Sequence, residues 1–311
     1  MSTATTSDLQ ATCETLRARI RQVVAIESET VDLLLTALLA HGHVLIEGIP
    51  GIGKTLLART LGRCLSLEFR RIQFTNDLMP SDIVGTTVWR QDRGRFVFVR
   101  GPLFANVVLA DEINRTGPRT LSCLLEAMEQ GRVSVEGRTL ELGQPFLVLA
   151  TRNPIEFHGT HPVPEAALDR FLLRVELGYP APERELALYL GQDPEQDLAR
   201  TEPLLSREQV QELCGMVATV QVREPVARYA QRVVTATREH PGIALGASPR
   251  AGMMWLRAAR ARALLAGRAF VLPDDLKALT LPVLAHRVVR NGGGSSAEFL
   301  HEIVEQTKVD L

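Results

Sequence analysis

The segment GIPGIGKT, Gly48 to Thr55, lies between a short apolar run, Val44 to Gly48, and the helical segment TLLARTLGRCL. A buried strand, a glycine-rich turn and a helix form the context that the pattern G-x-x-x-x-G-K-[ST] requires. Glycines let backbone N–H groups surround phosphate oxygens at a helix N-terminus, which already favours anions. The segment therefore predicts a phosphate-binding loop at the edge of an α/β sheet.

The residues of this loop have different predicted roles. Lys54 is expected to contact the β- and γ-phosphates of a nucleoside triphosphate, and Thr55 to place its hydroxyl on Mg²⁺. The residues predicted to bind the nucleotide are Gly48, Pro50, Gly51, Ile52, Gly53, Lys54, Thr55 and Leu56.

A second apolar run, VVLADEINR at Val107 to Arg115, ends in the adjacent carboxylates Asp111 and Glu112. Strands of a parallel sheet end at a common edge, where ligands of α/β folds bind. Asp111 is expected to hold Mg²⁺ through water near Thr55. Glu112 then remains free to orient or deprotonate the attacking water, so the pair favours hydrolysis over binding alone.

Three further residues are candidates for contacts with the γ-phosphate. The strand PFLVLAT runs into Arg152 and Asn153, and the amide of Asn153 could position the attacking water. Arg170 ends the helical segment PEAALDRF, and Arg250 opens a helix in GASPRAGMMWL. An arginine offered across a subunit boundary can neutralise transition-state charge, although an arginine at a helix end more often caps or pairs.

The rest of the chain predicts an α/β core followed by helices. Short buried runs alternate with helical segments, which indicates a parallel sheet covered on both faces. The alternating segments GRFVFVR, from Gly94, and RVSVEGRTLEL, from Arg132, predict two inserted β-hairpins. A proline-bearing break at 179–185 suggests one domain at residues 1–182 and a second at residues 183–311 that reads as successive amphipathic helices.

Composition narrows the class of protein. The 311 residues include 35 Lys and Arg against 36 Asp and Glu, so the net charge of −1 gives no basic field for nucleic acid. The four cysteines contain no CxxC pair and predict reduced thiols. The sequence shows neither a leader nor an apolar run of membrane-spanning length, which predicts a cytoplasmic protein without a membrane span.

The ordered set GIPGIGKT, LADEINR, LATRNP, PEAALDRF and GASPRA resembles the MoxR family of AAA+ ATPases, colinearly from about residue 20 to residue 290. The resemblance implies an αβα core with a parallel five-stranded sheet, its sensor-1 strand between the two Walker strands, and a small all-helical lid domain. It also makes Asn153 sensor 1, Arg170 the arginine finger and Arg250 sensor 2. The hairpins correspond to the family's helix-2 insert and pre-sensor-1 hairpin.

The same resemblance implies a function. ATP with Mg²⁺ would bind between core and lid, and Arg170 of one subunit would reach the nucleotide of the next in a homo-oligomeric, hexameric ring. Hydrolysis would drive chaperone-like remodelling or maturation of a protein client, together with a von Willebrand factor A domain partner. The two hairpins would form the contact surface for clients.

Several alternatives remain open at this stage. A magnesium-chelatase-like motor subunit shares this architecture, and a nucleic-acid or transcription-complex remodelling ATPase could use the hairpins on DNA. The near-zero net charge and the lack of a GAFTGA-like loop argue against the nucleic-acid remodelling ATPase. A GTPase would need an NKxD-type segment that recognises guanine, and the sequence contains none. Arg152 replaces the family's usual glutamine, and Asn76 stands where proline is common. Arg115 and Arg119 are alternative trans arginines.

Overall fold

The computed structural model describes residues 6–152 and 161–309. The described helices are α1 Thr6–Val23, α2 Ser28–Leu39, α3 Lys54–Cys64, α4 Pro80–Val84, α5 Pro118–Gln130, α6 Glu165–Leu168, α7 Pro182–Tyr189, α8 Pro194–Arg200, α9 Arg207–Val217, α10 Glu224–Glu239, α11 Pro249–Leu265, α12 Pro273–Leu284 and α13 Ala297–Gln306. The described strands are β1 Val44–Gly48, β2 Phe69–Gln73, β3 Gly85–Arg90, β4 Arg95–Arg100, β5 Val107–Asp111, β6 Arg132–Val135, β7 Arg138–Glu141, β8 Leu147–Arg152, β9 Leu173–Leu177, β10 Ile243–Leu245 and β11 Val289–Arg290. Short 3₁₀ turns occupy Pro102–Phe104 and Ile113–Arg115.

A parallel five-stranded sheet forms the centre of the molecule, with the strand order β2-β5-β8-β1-β9. The phosphate-loop strand β1 and the carboxylate strand β5 therefore lie on either side of β8. This order confirms the predicted arrangement of the core. Because all five strands run the same way, Gly48, Asp111 and Arg152 end at one edge of the sheet.

The three inner strands β5, β8 and β1 are buried on both faces, since alternate side chains of a strand point to opposite sides and both sides are covered. Val44 and Ile46 of β1 belong to one apolar cluster, which also includes helices α1 to α3 and most of the C-terminal helices. Leu45 of β1 and Val108 of β5 belong to a second cluster against α4 and α5. This two-sided burial explains why the inner strands are nearly continuous apolar runs, whereas the edge strands β2 and β9 carry charged residues.

Both predicted hairpins are present, as the antiparallel pairs β3–β4 and β6–β7. The turn of the second is Glu136-Gly137, where both residues have positive φ, at 49° and 76°. The two hairpins contact each other, since the Thr87 hydroxyl donates to Glu136 Oε2 at 2.8 Å. The two hairpins are therefore linked to each other.

The region from residue 183 onward is mainly helical, as predicted, with one addition that the sequence did not suggest. β10 and β11 form a short antiparallel pair whose residues are not buried. The buried Arg287 fixes this region to the core, donating to Asp169 Oδ1 at 2.9 Å and to the Leu172 carbonyl at 3.2 Å. Burial lowers the pKa of Arg287 to about 10, so it stays charged at neutral pH.

Hydropathy along the helices shows no membrane-spanning segment within residues 6–152 and 161–309: none of these helices is both long and apolar enough.

Candidate active site

The phosphate loop adopts a backbone conformation that depends on its glycines. Gly51 and Gly53 have φ of +86° and +87°, a region that residues with a Cβ rarely adopt. A Cβ at Gly48 would lie 2.6 Å from Ile52 Cδ1 and 2.7 Å from the Leu177 carbonyl oxygen. The glycines of GIPGIGKT are therefore required by the turn and by its packing, as well as by any ligand.

Lys54 begins α3 directly after this turn, and its ammonium folds back over the loop. The Nζ donates to the carbonyl oxygen of Gly48 at 2.7 Å. Thr55 follows in the first turn of the helix and is only partly buried. The lysine and the hydroxyl are thus held at the helix N-terminus, where an anion is favoured.

Asp111 ends β5 beside the loop, and both of its carboxylate oxygens accept hydrogen bonds. Arg71 Nη2 donates to Oδ2 at 2.6 Å, and the Thr151 hydroxyl donates to Oδ1 at 2.5 Å. A carboxylate oxygen has a further lone pair for a water or metal ligand. Asp111 is therefore oriented by two neighbouring strands, β2 and β8, before any ligand binds.

Glu112 leaves the strand in the left-handed conformation, with φ of 58° and ψ of 52°. Its N–H donates to Thr151 Oγ1 at 2.8 Å, while its Oε2 accepts from Gln73 Nε2 at 2.8 Å and from Arg115 Nη1 at 3.0 Å. In this conformation Glu112 is held toward β2 and the following turn. These contacts to Oε2 must loosen before that oxygen can accept a proton from water.

Sequence reasoning missed the residues that hold these carboxylates: Arg71, Gln73 and Thr151. A signal was available, because Gln73 near the end of FRRIQF and Thr151 at the end of PFLVLAT are polar residues that follow apolar positions, as Asp111 does. What the sequence did not supply was the order of strands. Gln73 lies opposite Asp111 only because β2 pairs directly with β5.

A cavity of about 380 Å³ opens beside the phosphate loop. Its walls combine the end of α1, the loop itself, Tyr179 and the start of the C-terminal helices, including Leu188 and Tyr189 of α7. Its size lies within the range of small-ligand pockets, and its apolar and aromatic lining suits a flat base. A nucleotide phosphate on the loop would thus place its base here.

Asn153 lies outside the described residues, so its predicted role as sensor 1 stays a prediction. The preceding residue, Arg152, is described and has a clear partner. It lies opposite Glu47 in the β1–β8 register and donates to that carboxylate, which Arg174 also approaches at 3.7 Å. Glu47 is only 8% exposed, so the charge of Arg152 is matched by a nearly buried acid.

Replacing Arg152 with glutamine is expected to lower the melting temperature by about 2–6 °C, corresponding to about 1–2 kcal/mol. Removing one partner of a buried pair is costly, but Arg174 remains to offset part of the charge of Glu47. Differential scanning calorimetry measures the shift. Arg59→Gln is the matched control, because it breaks an exposed ion pair, which contributes little to stability. The side chains of Arg59 and its partner Glu195 are 40% and 61% exposed. Equal shifts in the two variants would contradict the role assigned to Arg152.

Arg170 and Arg250 share one carboxylate, that of Glu129 at the end of α5. Arg170 Nε donates to Glu129 Oε2 at 3.2 Å, and Arg250 Nη1 donates to Oε1 at 3.0 Å. Burial alone would raise the pKa of Glu129, but the charges of Arg250 and then Arg170 lower it overall. The two predicted phosphate-contacting arginines are therefore adjacent in space, although 80 positions apart in sequence numbering (170 and 250).

This arginine pair lies at the amino end of the sheet. Their partner Glu129 follows Met128, whose carbonyl lies 2.9 Å from the ring of His43, the residue just before β1. The same ring accepts a hydrogen bond from the N–H of Val148 in β8 at 3.0 Å. The phosphate loop begins at the other end of β1, about 16 Å away for five residues at roughly 3.3 Å each. The side chains of Arg170 and Arg250 thus face away from the loop of their own chain.

Arg250 lies away from the cavity beside the phosphate loop of its own chain, and its predicted role as sensor 2 stays a prediction. The cavity at the loop includes α7, but α11 and Arg250 contribute nothing to its lining. The reason is the docking of α11 against α2 near His41, which sets it at the opposite end of the sheet. Among the alternative trans arginines, Arg115 contacts Glu112 of its own chain, and Arg119 is exposed in the first turn of α5.

Fold and site together define a phosphate-loop protein with a three-layer αβα core and a helical C-terminal region. Residues 43–173 match the ATPase family associated with various cellular activities (AAA), and residues 235–307 match the AAA lid domain. The uncharacterized protein YeaC of Bacillus subtilis (strain 168) is 41% identical over 297 residues, covering 94% of this chain and 93% of that protein.

Two further similarities agree with this class. Chaperone MoxR1 of Mycobacterium tuberculosis is 42% identical over 296 residues, covering 92% of this chain and 78% of that protein. The crystal structure of a candidate ATPase from Cytophaga hutchinsonii superposes with a TM-score of 0.89 at 33% identity, covering 98% of this chain and 97% of that one. This chain belongs to the MoxR family of AAA+ ATPases, which confirms the resemblance and the fold class inferred from the sequence.

Proposed function

We propose that this protein hydrolyses ATP at a site shared by two neighbouring copies, and uses the energy to remodel protein clients. The observation that carries the proposal is the division of the site between the two ends of one sheet. The loop and the carboxylates lie at the carboxyl end, and the paired arginines lie at the amino end. Residues 1–182 act as the nucleotide-binding core and residues 183–311 as the lid.

The carboxyl end supplies the groups for binding and for activating water. The loop from Gly48 to Leu56 holds the phosphates, with Lys54 as its cation. Glu112, once released from Gln73 and Arg115, accepts a proton from the attacking water or orients it. Asn153, which follows β8, assists in positioning that water.

The donor set at this edge fits Mg²⁺. Thr55 offers a hydroxyl and Asp111 a carboxylate, which are hard oxygen ligands. Among the described residues no group of three or more His, Cys, Asp or Glu could hold a metal ion. Mg²⁺ in phosphate sites needs no such cage, because water and phosphate oxygens complete its shell. Bound there, it would neutralise charge on the phosphates during transfer.

The amino end supplies cations to the nucleotide of the next copy. Arg170 acts as the arginine finger and Arg250 as sensor 2, and both act in trans because neither side chain faces its own loop. Glu129 is their partner in the single chain, and incoming phosphate oxygens replace it. A head-to-tail contact of this kind closes into a ring or extends into a filament. By resemblance to the family we favour a hexameric ring.

The two linked hairpins are the proposed contact surface for clients. Trp89 and Phe96 form an edge-to-face aromatic pair at the tip of the β3–β4 hairpin, with exposures of 55% and 69%. Exposed aromatic pairs of this kind favour interaction surfaces. A von Willebrand factor A domain protein is the proposed partner, a proposal that rests on the family resemblance, and chaperone-like work is supported by the name of the mycobacterial relative.

A second candidate function rests on the same tip. Arg90, Arg93 and Arg95 accompany the two aromatic side chains on β3 and β4 and the turn that joins them. Arginines with exposed aromatic rings also bind single-stranded nucleic acid by charge and stacking. A nucleic-acid remodelling ATPase therefore remains the competing proposal for the client.

The binding half of the proposal is tested with Lys54→Ala. Loss of this charged contact is expected to weaken ATP binding by about tenfold to a hundredfold in isothermal titration calorimetry. Lys277→Ala on α12 is the matched control, since this exposed lysine lies outside the cavity at the loop, and it should bind as the unaltered protein does. Unchanged ATP affinity in Lys54→Ala would overturn the assignment of the phosphate loop.

A further inference from the structure

A second cavity, of about 330 Å³, surrounds the arginine pair at the amino end of the sheet. We name it the basic cavity. Its charged and titratable lining residues are His41, His43, Glu129, Arg170, Arg250 and Arg257. Three guanidinium groups and one carboxylate thus line this space, so its formal charge is positive whatever the protonation of the two histidines.

Arg257 is the cation of this cavity to which the family pattern gives no role. It lies on α11 two helical turns after Arg250, so both side chains project from the same face of that helix. Arg170 and Arg250 are paired with Glu129, but Arg257 forms no ion pair with any residue in the described ranges 6–152 and 161–309. Its side chain remains accessible to solvent.

Electrostatics around Arg257 indicate an incomplete site. Loss of solvent in the cavity lowers the pKa of Arg257, and the like charge of Arg250 lowers it further. Burial and then the charge of Arg257 also lower the pKa of His41, which keeps that ring neutral at pH 7. Three arginines against one glutamate leave two positive charges uncompensated. A partly desolvated cavity with such an excess favours an anionic ligand that carries more than one charge.

We propose that Arg257 is a third cation of the shared site and contacts a phosphate oxygen of the ATP bound to the neighbouring copy. The inference rests on the proposed function and adds a residue to it. A triphosphate matches the excess charge, and its several oxygens can occupy donors from all three arginines at once. Because the loop of the other copy holds the same nucleotide, Arg257 acts on turnover more than on initial binding.

The test compares Arg257→Gln with the unaltered protein in steady-state ATP hydrolysis. We expect kcat to fall by about tenfold to a hundredfold, the range for losing one charged hydrogen-bond donor, with KM for ATP nearly unchanged. Arg257→Lys keeps the positive charge but lacks the planar set of guanidinium N–H donors, so it should give an intermediate kcat. Arg228→Gln on α10 is the control, since it removes a 68% exposed arginine that pairs with Glu224 of the same helix. Its kcat should not change.

Mixing separates this inference from the proposed function. Arg257→Gln subunits retain an intact loop, and Lys54→Ala subunits retain an intact basic cavity, so a mixture should exceed the turnover of either variant alone. A wild-type kcat in Arg257→Gln, or a deficit that mixing does not restore, would overturn the role of Arg257 while leaving the ATPase proposal standing. Absence of turnover in the unaltered protein at every concentration would instead contradict the ATPase proposal, and with it this inference.

Discussion

Arg170→Ala is expected to bind ATP normally and to hydrolyse it about 10³–10⁵-fold more slowly, the range for loss of a trans arginine. The phosphate loop is complete without Arg170, since this residue lies at the opposite end of the sheet beside Glu129. Charge that develops on the γ-phosphate would then lack its main neutralising group. Isothermal titration calorimetry measures binding, and steady-state phosphate release measures turnover.

The control for this prediction is Arg228→Ala, which removes an exposed arginine on the lid helix α10. It should retain both binding and turnover. Thermal melting of Arg170→Ala should remain close to that of the unaltered protein, because its partner Glu129 is 39% exposed and keeps Arg250. Turnover within tenfold of the unaltered rate would contradict the assignment of Arg170 and leave Arg119 as the next candidate.

Glu112→Gln is expected to retain ATP binding and to lose about 10²–10⁴-fold in turnover, as removal of a general base does. The amide preserves the shape of the side chain and can still accept a hydrogen bond from Gln73, so the change acts on proton transfer. Glu224→Gln, at a 73% exposed carboxylate on α10, is the matched control. Substantial hydrolysis by Glu112→Gln would assign the base to another residue.

The same variant identifies the client, because a subunit that binds ATP without hydrolysing it remains in the engaged state. Tagged Glu112→Gln would be incubated with ATP in a lysate of the source cell, and the bound species analysed by mass spectrometry and nucleic-acid staining. Capture of a protein with a von Willebrand factor A domain would support the chaperone-like proposal. Nuclease-sensitive nucleic acid would favour the remodelling alternative instead.

Local patterns in the sequence predicted the sheet and the loop well, for a physical reason. Val44 to Gly48 and Val107 to Asp111 are strands buried on both faces, so they read as short apolar runs with sharp ends. The hairpin at Glu136-Gly137 was equally readable, because its turn requires positive φ. Such features depend on neighbours in sequence, and the structure agrees with them.

Features that depend on how distant elements pack were not predictable in this way. The contact between Gln73 and Glu112 requires β2 to lie beside β5, and no local pattern specifies that neighbour. The Glu129 cluster joins α5, the turn after α6 and the start of α11. The position of Arg250 depends on packing in the same way, since the docking of α11 near His41 decides it.

The central claim is that the site is completed by two copies, and a mixture of Lys54→Ala and Arg170→Ala tests it most directly. At an ATP concentration that saturates only the unaltered loop, each variant alone should turn over slowly, the first because its loop binds ATP weakly and the second because it offers no arginine finger. In the mixture, an intact loop on one subunit meets an intact Arg170 on the next. We predict steady-state turnover well above the sum of the two separate rates; a mixture that only equals that sum would contradict a site shared between subunits.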